Sequence, residues 1–161
     1  MSPLKFCNSF GAELSVAEIV SEILSFMHAD PKRRYKVVIG SDSEQLSLGS
    51  ADFVTAVVVH RVGNGGRYFW RRIGLGRFHT LRDRIIQEVL LSLDVGKEFL
   101  KILQRDVKDI AWDFEIHVDV GERGETRSLI QEVVGMVRAL NFEAKTKPES
   151  YAATKVADRH V

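Results

Sequence analysis

The sequence is 161 residues long, with 45% hydrophobic and 28% charged residues, and its 23 basic and 22 acidic side chains leave a formal net charge of +1. This length and apolar content predict one globular domain over 1–161, with a lead-in over 1–33 and a core over 34–161. The composition excludes disordered, collagenous and disulfide-rich classes. The near-neutral charge argues against a polycation that coats nucleic acid, but it allows a local basic patch.

The cellular compartment is predicted from three features of the chain. Cys7 is the single cysteine, so an internal disulfide is impossible and a reducing compartment is favoured. The first residues lack the basic and apolar regions of a signal peptide, and no apolar run approaches the roughly 20 residues that cross a bilayer. We therefore expect a cytoplasmic protein with no membrane contact.

The first predicted element is a helix over about 15–28. Ser15 and Glu18 match a capping box, and apolar residues recur at three- and four-residue spacing along one face of this segment. The polar segment 30–34, which contains Pro31, ends the helix.

Three strand-like runs follow, over 35–40, 53–62 and 67–73. The link at 63–66 reads Gly-Asn-Gly-Gly, a turn-forming sequence, so the runs predict an antiparallel meander. The third run alternates in the manner of an edge strand. Such a strand could pair with a second copy of the chain, although nothing in the sequence requires an oligomer.

Helices and strands alternate in the rest of the chain. A long helix is predicted over about 80–103, with Gly96 as a candidate break. A strand over 114–120, a helix over about 126–140, a short strand over 142–146 and a helix from 151 onward complete the prediction. This order predicts a mixed five-stranded α/β sheet of three antiparallel and then parallel strands, with helices on both faces and an extra N-terminal helix. It is the order found in ribonuclease-H-like folds.

Four carboxylates fall where this topology brings elements together. Asp42 and Asp119 follow two strands predicted to be parallel neighbours, whose carboxyl ends would adjoin. Glu88 lies on the margin of the buried stripe of the long helix, and Asp158 lies in the last helix. Taken singly, each acid also fits a turn, a surface position or, for Glu88, a salt bridge with Arg84. Taken together, they favour a site.

Such a cluster is typical of two-metal phosphodiester chemistry. Two hard cations held by carboxylate oxygens can clamp both the attacking water and the leaving oxygen. Oxygen ligands suit Mg²⁺ or Mn²⁺, which we predict as a two-ion site. Glu44, two residues after Asp42, is either a further ligand or a solvated carboxylate.

The charge of the chain is unevenly distributed. Seven arginines and one acid give +6 over 61–84, whereas seven acids and two bases give −5 over 106–125. Aromatic residues interleave with the arginines, so Arg71 and Arg72 are candidates for a nucleic-acid backbone track. The alternative is a solvated strand face whose arginines pair with nearby acids. Thr126 and Arg127, at a helix start, are further candidate anion binders.

Several blocks of the chain resemble the YkuK-type family of ribonuclease-H-like proteins. The blocks are VIGSDSEQ at 38–45, FVTAVVVHRVGNGGRYFWRR at 53–72, RIIQEVLLSL at 84–93, HVDVGERGETRSLIQEVVGMVRALNF at 117–142 and KTKPESYAATKVADRH at 145–160. The resemblance implies a ribonuclease-H-like fold and a nuclease role. The wider superfamily pattern places its four acids at Asp42, Glu88, Asp119 and Asp158.

The chain also departs from that pattern. The loop before the last helix lacks a histidine and carries Lys145 and Lys147, which we take as candidate substrate-binding residues. No basic insertion of the kind that grips RNA:DNA hybrids is present. The sequence therefore predicts a Mg²⁺- or Mn²⁺-dependent nuclease acting on RNA or DNA, and the alternative is a non-catalytic nucleic-acid- or protein-binding module on the same fold.

Overall fold

The computed structural model describes residues 4–161, and it describes the side chains of all of these except 151–154. The strands are β1 (Lys5–Asn8), β2 (Glu13–Ser15), β3 (Tyr35–Gln45), β4 (Ala51–Arg61), β5 (Gly66–Leu75), β6 (Trp112–His117) and β7 (Glu143–Lys145). The helices are α1 (Val16–His28), α2 (Leu81–Asp106), α3 (Ile130–Ala139) and α4 (Tyr151–His160), with short 3-10 turns at Ser47–Gly49 and Arg127–Leu129.

The described strands form one mixed sheet in the order β2-β1-β5-β4-β3-β6-β7. Strands β3, β4 and β5 are antiparallel neighbours, whereas β6 and β7 run parallel to β3. The mixed α/β architecture is therefore confirmed.

The predicted strand count is wrong, because this sheet has seven strands and not five. The two additional strands, β1 and β2, have only four and three residues, too few to show an alternating pattern. They extend the sheet beyond β5 through the pairs Cys7↔Trp70 and Asn8↔Phe69. Strand β5 is consequently not the outermost strand of the sheet, as its sequence had suggested.

Helices cover both faces of the sheet. Buried residues of α1, α2 and α3, such as Ile23, Phe99 and Val137, share one apolar core with Val57 and its neighbours on the sheet. On the opposite face, Ala157 of α4 packs with Val54 and Ala56 of β4. Helix α4 is thereby placed across β3, β4 and β5.

Local sequence features account for the start of α1 and for the close approach of α2 to the sheet. In α1, Ser15 Oγ accepts a hydrogen bond from the Glu18 N–H and Glu18 Oε1 accepts one from the Ser15 N–H, both at 3.2 Å, which completes the capping box. Helix α2 continues unbroken through Gly96, where a Cβ would lie 3.0 Å from Ile116 Cδ1, so the glycine lets the helix approach β6. Within residues 4–161, no helix is both long and apolar enough to cross a membrane.

Strand β3 sets the direction of the residues that matter most. Ser41 points to the α2 face, where its hydroxyl lies 2.8 Å from Thr55 Oγ1 and 2.7 Å from Ser92 Oγ. Successive side chains of a strand alternate between faces, so Asp42 points to the α4 face. The strand runs on to Gln45, five residues beyond its predicted end at 40.

Candidate functional site

The predicted site acids lie on three elements, β3, α2 and α4, and in the loop after β6. Asp42 belongs to β3, and burial raises its pKa to about 6. A hydrogen bond from the Ser43 N–H opposes that rise, whereas the charge of Asp119 and a side-chain hydrogen bond with Asp158 add to it. The structure therefore brings Asp119 and Asp158 within electrostatic reach of Asp42.

Glu88 joins this group from the buried side of α2. Burial raises the pKa of Glu88 well above its usual value, and the charges of Asp42 and Asp119 raise it further. Ser43 Oγ donates a hydrogen bond to Glu88 Oε2 at 3.0 Å, and Arg84 Nη1 donates to both the carbonyl oxygen and the hydroxyl of Ser43 at 3.2 Å. The salt bridge considered from sequence is thus replaced by an indirect contact in which Ser43 lies between the two charged groups.

Asp119 lies just beyond β6 and makes an ion pair that the sequence did not suggest. Lys147 Nζ lies 3.0 Å from Asp119 Oδ1. The Lys147 N–H also donates to the Val120 carbonyl oxygen at 2.8 Å, which fixes the loop after β7 against the loop after β6. This contact depends on the conformation of two loops, so no sequence pattern could have indicated it.

The chemistry of these four side chains fits a hard divalent cation. All offer carboxylate oxygens, the ligands that Mg²⁺ and Mn²⁺ prefer. The raised pKa values of Asp42 and Glu88 show that their negative charge is poorly balanced in the folded chain. In the part of the chain that the structure describes, no three His, Cys, Asp or Glu side chains already converge as ligands of one ion. Binding would therefore have to draw the carboxylates closer together.

Glu44, the fifth predicted acid, lies further along β3 than Asp42. Its side chain is exposed, and its partner across the sheet is Asp52 of β4. Because residues two apart on a strand share a face, Glu44 lies on the same face as Asp42 but beyond the four grouped acids.

Arg71 and Arg72 of β5, the predicted contacts to a nucleic-acid backbone, point to opposite faces of the sheet. The Arg71 guanidinium lies on the α2 side, 5.8 Å from the centre of the Phe6 ring, and burial lowers its pKa. Arg72 lies opposite Val54 of β4, which in turn lies opposite Asp42 of β3, so Arg72 and Asp42 share one face of the sheet. The Nη2 of Arg72 donates to the carbonyl oxygen of His160 in α4. Arg72 thus holds α4 in place, whereas Arg71 lies on the face away from the acids.

Other arginines of the segment 61–84 also make internal contacts. Arg61 donates to the Tyr35 hydroxyl at 3.0 Å and to the Phe26 carbonyl oxygen at 2.7 Å. Arg82 pairs with Glu132 of α3. These arginines are therefore distributed over the molecule and do not form one continuous track.

The remaining predicted substrate-binding residues lie in the loops beyond β6 and β7. Thr126 Oγ1 accepts a hydrogen bond from the Gly121 N–H at 3.1 Å, which closes its own loop. Arg127 is exposed and is the first residue of the 3-10 turn that precedes α3. Lys145 Nζ lies 3.1 Å from Glu143 Oε1. Among these candidates, Lys147 is the residue that the described contacts place on a site acid.

A buried histidine and glutamate pair lies beside the acids. His117 Nε2 is 3.0 Å from Glu115 Oε1, and both side chains are buried. Burial lowers the pKa of His117, although Glu115 acts in the opposite direction. The other ring nitrogen, Nδ1, has no hydrogen-bond partner among the described residues. Glu115 is not among the acids predicted from the sequence.

Comparison with known proteins agrees with this fold. The model of the Ribonuclease H-like family matches residues 18–161, and the chain therefore belongs to the ribonuclease H-like family. It is similar to the uncharacterized protein YkuK of Bacillus subtilis (strain 168), with 31% identity over 164 aligned residues that cover 96% of this chain and 95% of the relative. No solved structure matches the chain. The family resemblance inferred from sequence is confirmed.

Proposed function

We propose that this protein is a Mg²⁺- or Mn²⁺-dependent nuclease that hydrolyses phosphodiester bonds of nucleic acid. The observation that carries the proposal is the convergence of acids at Asp42, which shares a side-chain hydrogen bond with Asp158 and lies within reach of the charge of Asp119. Carboxylates held this close in a partly buried place repel one another unless a proton or a cation lies among them. Membership of the ribonuclease H-like family supports a nucleic-acid substrate.

In this proposal, Asp42, Glu88, Asp119 and Asp158 hold the ions. When bound, a pair of divalent cations would supply an activated water and would stabilise the leaving oxygen of the phosphodiester. The chain itself orients the ligands. Ser43 directs the Glu88 carboxylate by its hydrogen bond. Helix α4 presents Asp158 because the stacking of His160 on Trp70 holds the helix against β5, with the two rings 4.2 Å apart.

At neutral pH, loss of the proton shared by two of the acids would leave negative charge that a cation can balance. Asp42 and Asp158 share a hydrogen bond, so one of the two carboxyl groups carries a proton in that arrangement. Since the pKa of Asp42 is about 6, this proton is lost as the pH rises above that value. The repulsion that remains favours binding of a divalent cation at neutral pH.

The direct test is cleavage of labelled single-stranded, duplex and RNA:DNA hybrid substrates in Mg²⁺, Mn²⁺ or chelator. We expect Glu88→Gln and Asp119→Asn to lower the cleavage rate by at least about 100-fold, because each removes one charged ligand. Glu44→Gln is the matched control, since Glu44 is an exposed acid on the strand face of Asp42. Metal-dependent cleavage that survives both site substitutions would contradict the proposed site.

A second candidate is a non-catalytic nucleic-acid-binding module on the same fold. The observation that favours it is the pairing of Asp119 with Lys147, which occupies one oxygen of a proposed ligand. Stable binding of oligonucleotides without cleavage in either metal would favour this module over the nuclease.

A further inference from the structure

We propose that Lys147 competes with the divalent cation for Asp119. Its ammonium group balances Asp119 while the ion is absent, and ion binding releases it to a phosphate of the nucleic-acid backbone. This inference rests on the proposed metal-dependent function, and it assigns to Lys147 the role of coupling metal binding to substrate binding.

The backbone and stem of Lys147 are fixed, whereas its charged end is not. The Lys147 N–H is bound to the Val120 carbonyl oxygen at 2.8 Å. The stem lies against Gly121, where an added Cβ would be 2.9 Å from Lys147 Cβ and 3.3 Å from its Cδ. The Lys147 side chain as a whole is 54% exposed. Only the outer part of the side chain is therefore free to turn away from Asp119.

Electrostatics makes the ammonium group and the divalent ion alternatives. The charge of Asp119 raises the pKa of both Asp42 and Glu88, so this carboxylate acts on two of the other three acids. Lys147 Nζ lies 3.0 Å from Asp119 Oδ1, at the distance of a direct ion pair. A divalent ion on the same carboxylate would be only a few ångströms from the ammonium group, and the two positive charges would repel each other.

A pocket beside the ion pair gives the released ammonium group a place to act. The pocket has a volume of about 710 Å³, and its lining includes two cationic side chains, Arg123 and Lys147, and two acidic ones, Glu122 and Glu149. Arg123 and Lys147 are the groups in this pocket that suit a backbone phosphate next to the scissile one. An exposed ion pair contributes little free energy, so a divalent ion can displace it readily.

The first test measures metal binding without nucleic acid. Mn²⁺ is titrated into the full chain and free Mn²⁺ is followed by electron paramagnetic resonance. We expect Lys147→Met, which keeps an apolar stem but removes the competing charge, to bind Mn²⁺ roughly 3- to 10-fold more tightly than the wild type. The matched control is Lys5→Met, which removes the same charge from a lysine paired with Glu13 near the opposite edge of the sheet and should change the affinity less than about twofold.

The second test measures binding of a labelled single-stranded oligonucleotide by fluorescence anisotropy, with Ca²⁺ or with chelator. We expect Lys147→Met to weaken binding at least about threefold in Ca²⁺ and to leave it unchanged in chelator, where the wild-type ammonium group is held by Asp119. Equal weakening in both conditions would overturn the release of Lys147.

The outcomes separate this inference from the proposed function. Wild-type Mn²⁺ affinity in Lys147→Met, together with loss of Mn²⁺ binding in Asp119→Asn, overturns the role of Lys147 and leaves the metal site standing. Absence of Mn²⁺ binding in the wild type and in Lys147→Met overturns the metal site and the inference with it. Thermal unfolding of each variant shows that the compared proteins are folded.

Discussion

The side chains of Asp42 on β3 and Asp158 on α4 share a hydrogen bond, although 116 positions of the sequence separate the two residues. Both groups are carboxyls, so the bond exists only while one of them holds a proton. This pair joins the sheet to helix α4 through an interaction that depends on pH, and it links the stability of the fold to the charge of the site.

The first prediction concerns stability against pH. The pKa of Asp42 is raised from 3.8 to about 6 in the folded chain, so the folded state binds more protons than the unfolded state between those values. The contribution of this protonated carboxyl to the free energy of unfolding is therefore fully present below about pH 4, and it is lost as the pH rises through about 6. We expect Asp42→Asn, which does not ionise, to be more stable than the wild type by about 1–2 kcal/mol at pH 8, after allowance for solvent screening.

Urea denaturation in chelator at pH 4 and pH 8 measures this difference. At pH 4 the two proteins should agree within about 0.5 kcal/mol, because Asp42 of the wild type is then protonated. Glu44→Gln is the control for loss of one acidic charge on the same strand. A stabilisation by Asp42→Asn that is equal at both pH values would argue against the carboxyl pair.

The second prediction concerns stabilisation by metal. Millimolar Mg²⁺ or Mn²⁺ should raise the midpoint of thermal unfolding by several degrees at pH 7.5, because an ion that binds only the folded state stabilises it. The increase should shrink at pH 4.5, where protons compete for the carboxylates. It should also disappear in Asp119→Asn. An equal increase produced by NaCl of matched ionic strength would show ordinary charge screening.

The third prediction concerns the hydroxyl of Ser43. Its hydrogen bond to Glu88 favours the ionised carboxylate, so Ser43→Ala should raise the pKa of Glu88 further. Carboxyl carbon NMR should show the titration of Glu88 move to higher pH. Ser50→Ala is a suitable control, since the Ser50 hydroxyl donates to the Ser47 carbonyl oxygen in the turn after β3. A Glu88 titration that is unaltered in Ser43→Ala would mean that this hydrogen bond does not tune the site.

The fourth prediction concerns the hydroxyl of Tyr35 at the other end of β3. It donates to the Asp30 carbonyl oxygen at 2.8 Å and accepts from Arg61 Nε at 3.0 Å. Tyr35→Phe should lower the free energy of unfolding by about 1–3 kcal/mol, because the buried partners lose their hydrogen bonds. Tyr68→Phe, which loses only a 3.4 Å contact with His160 Nε2, should cost less than about 0.5 kcal/mol by the same reasoning.

The fifth prediction concerns the attachment of α4. Arg72 donates to the carbonyl oxygen of His160, so Arg72→Ala should speed amide hydrogen exchange in α4. Arg82→Ala is the matched control, because Arg82 belongs to the same basic segment but pairs with Glu132 of α3. Similar exchange in α4 for both variants would indicate that Arg72 does not hold this helix.

Several parts of the fold were predictable because their signals are local. The capping box at Ser15 and Glu18 and the three antiparallel strands from Tyr35 to Leu75 follow from short-range patterns. Strands β1 and β2 gave no such signal, because segments of four and three residues are stabilised by their partners in the sheet and not by their own periodicity.

The proximity of Asp42 and Asp119 was predictable from the sequence, whereas the contacts of the cationic side chains were not. Asp42 and Asp119 each lie two residues beyond Gly40↔His117, the last pair between the parallel strands β3 and β6, so the carboxyl end of that pairing brings them together. Arg71 and Arg72 could not be assigned to faces until the register of β5 against β4 was known. The contact of Lys147 with Asp119 depends on two loops whose conformations follow from the finished fold.

The buried hydroxyls of Thr55, Ser41 and Ser92 join β4, β3 and α2 by two hydrogen bonds, directly behind Asp42. A slip of β3 by one residue would turn its side chains over, so that Asp42 would enter the apolar side of the sheet and Ser41 would leave its partners. Either change would leave buried polar groups without hydrogen-bond partners. These three hydroxyls therefore fix the register of β3 and, with it, the face of the sheet on which Asp42 lies.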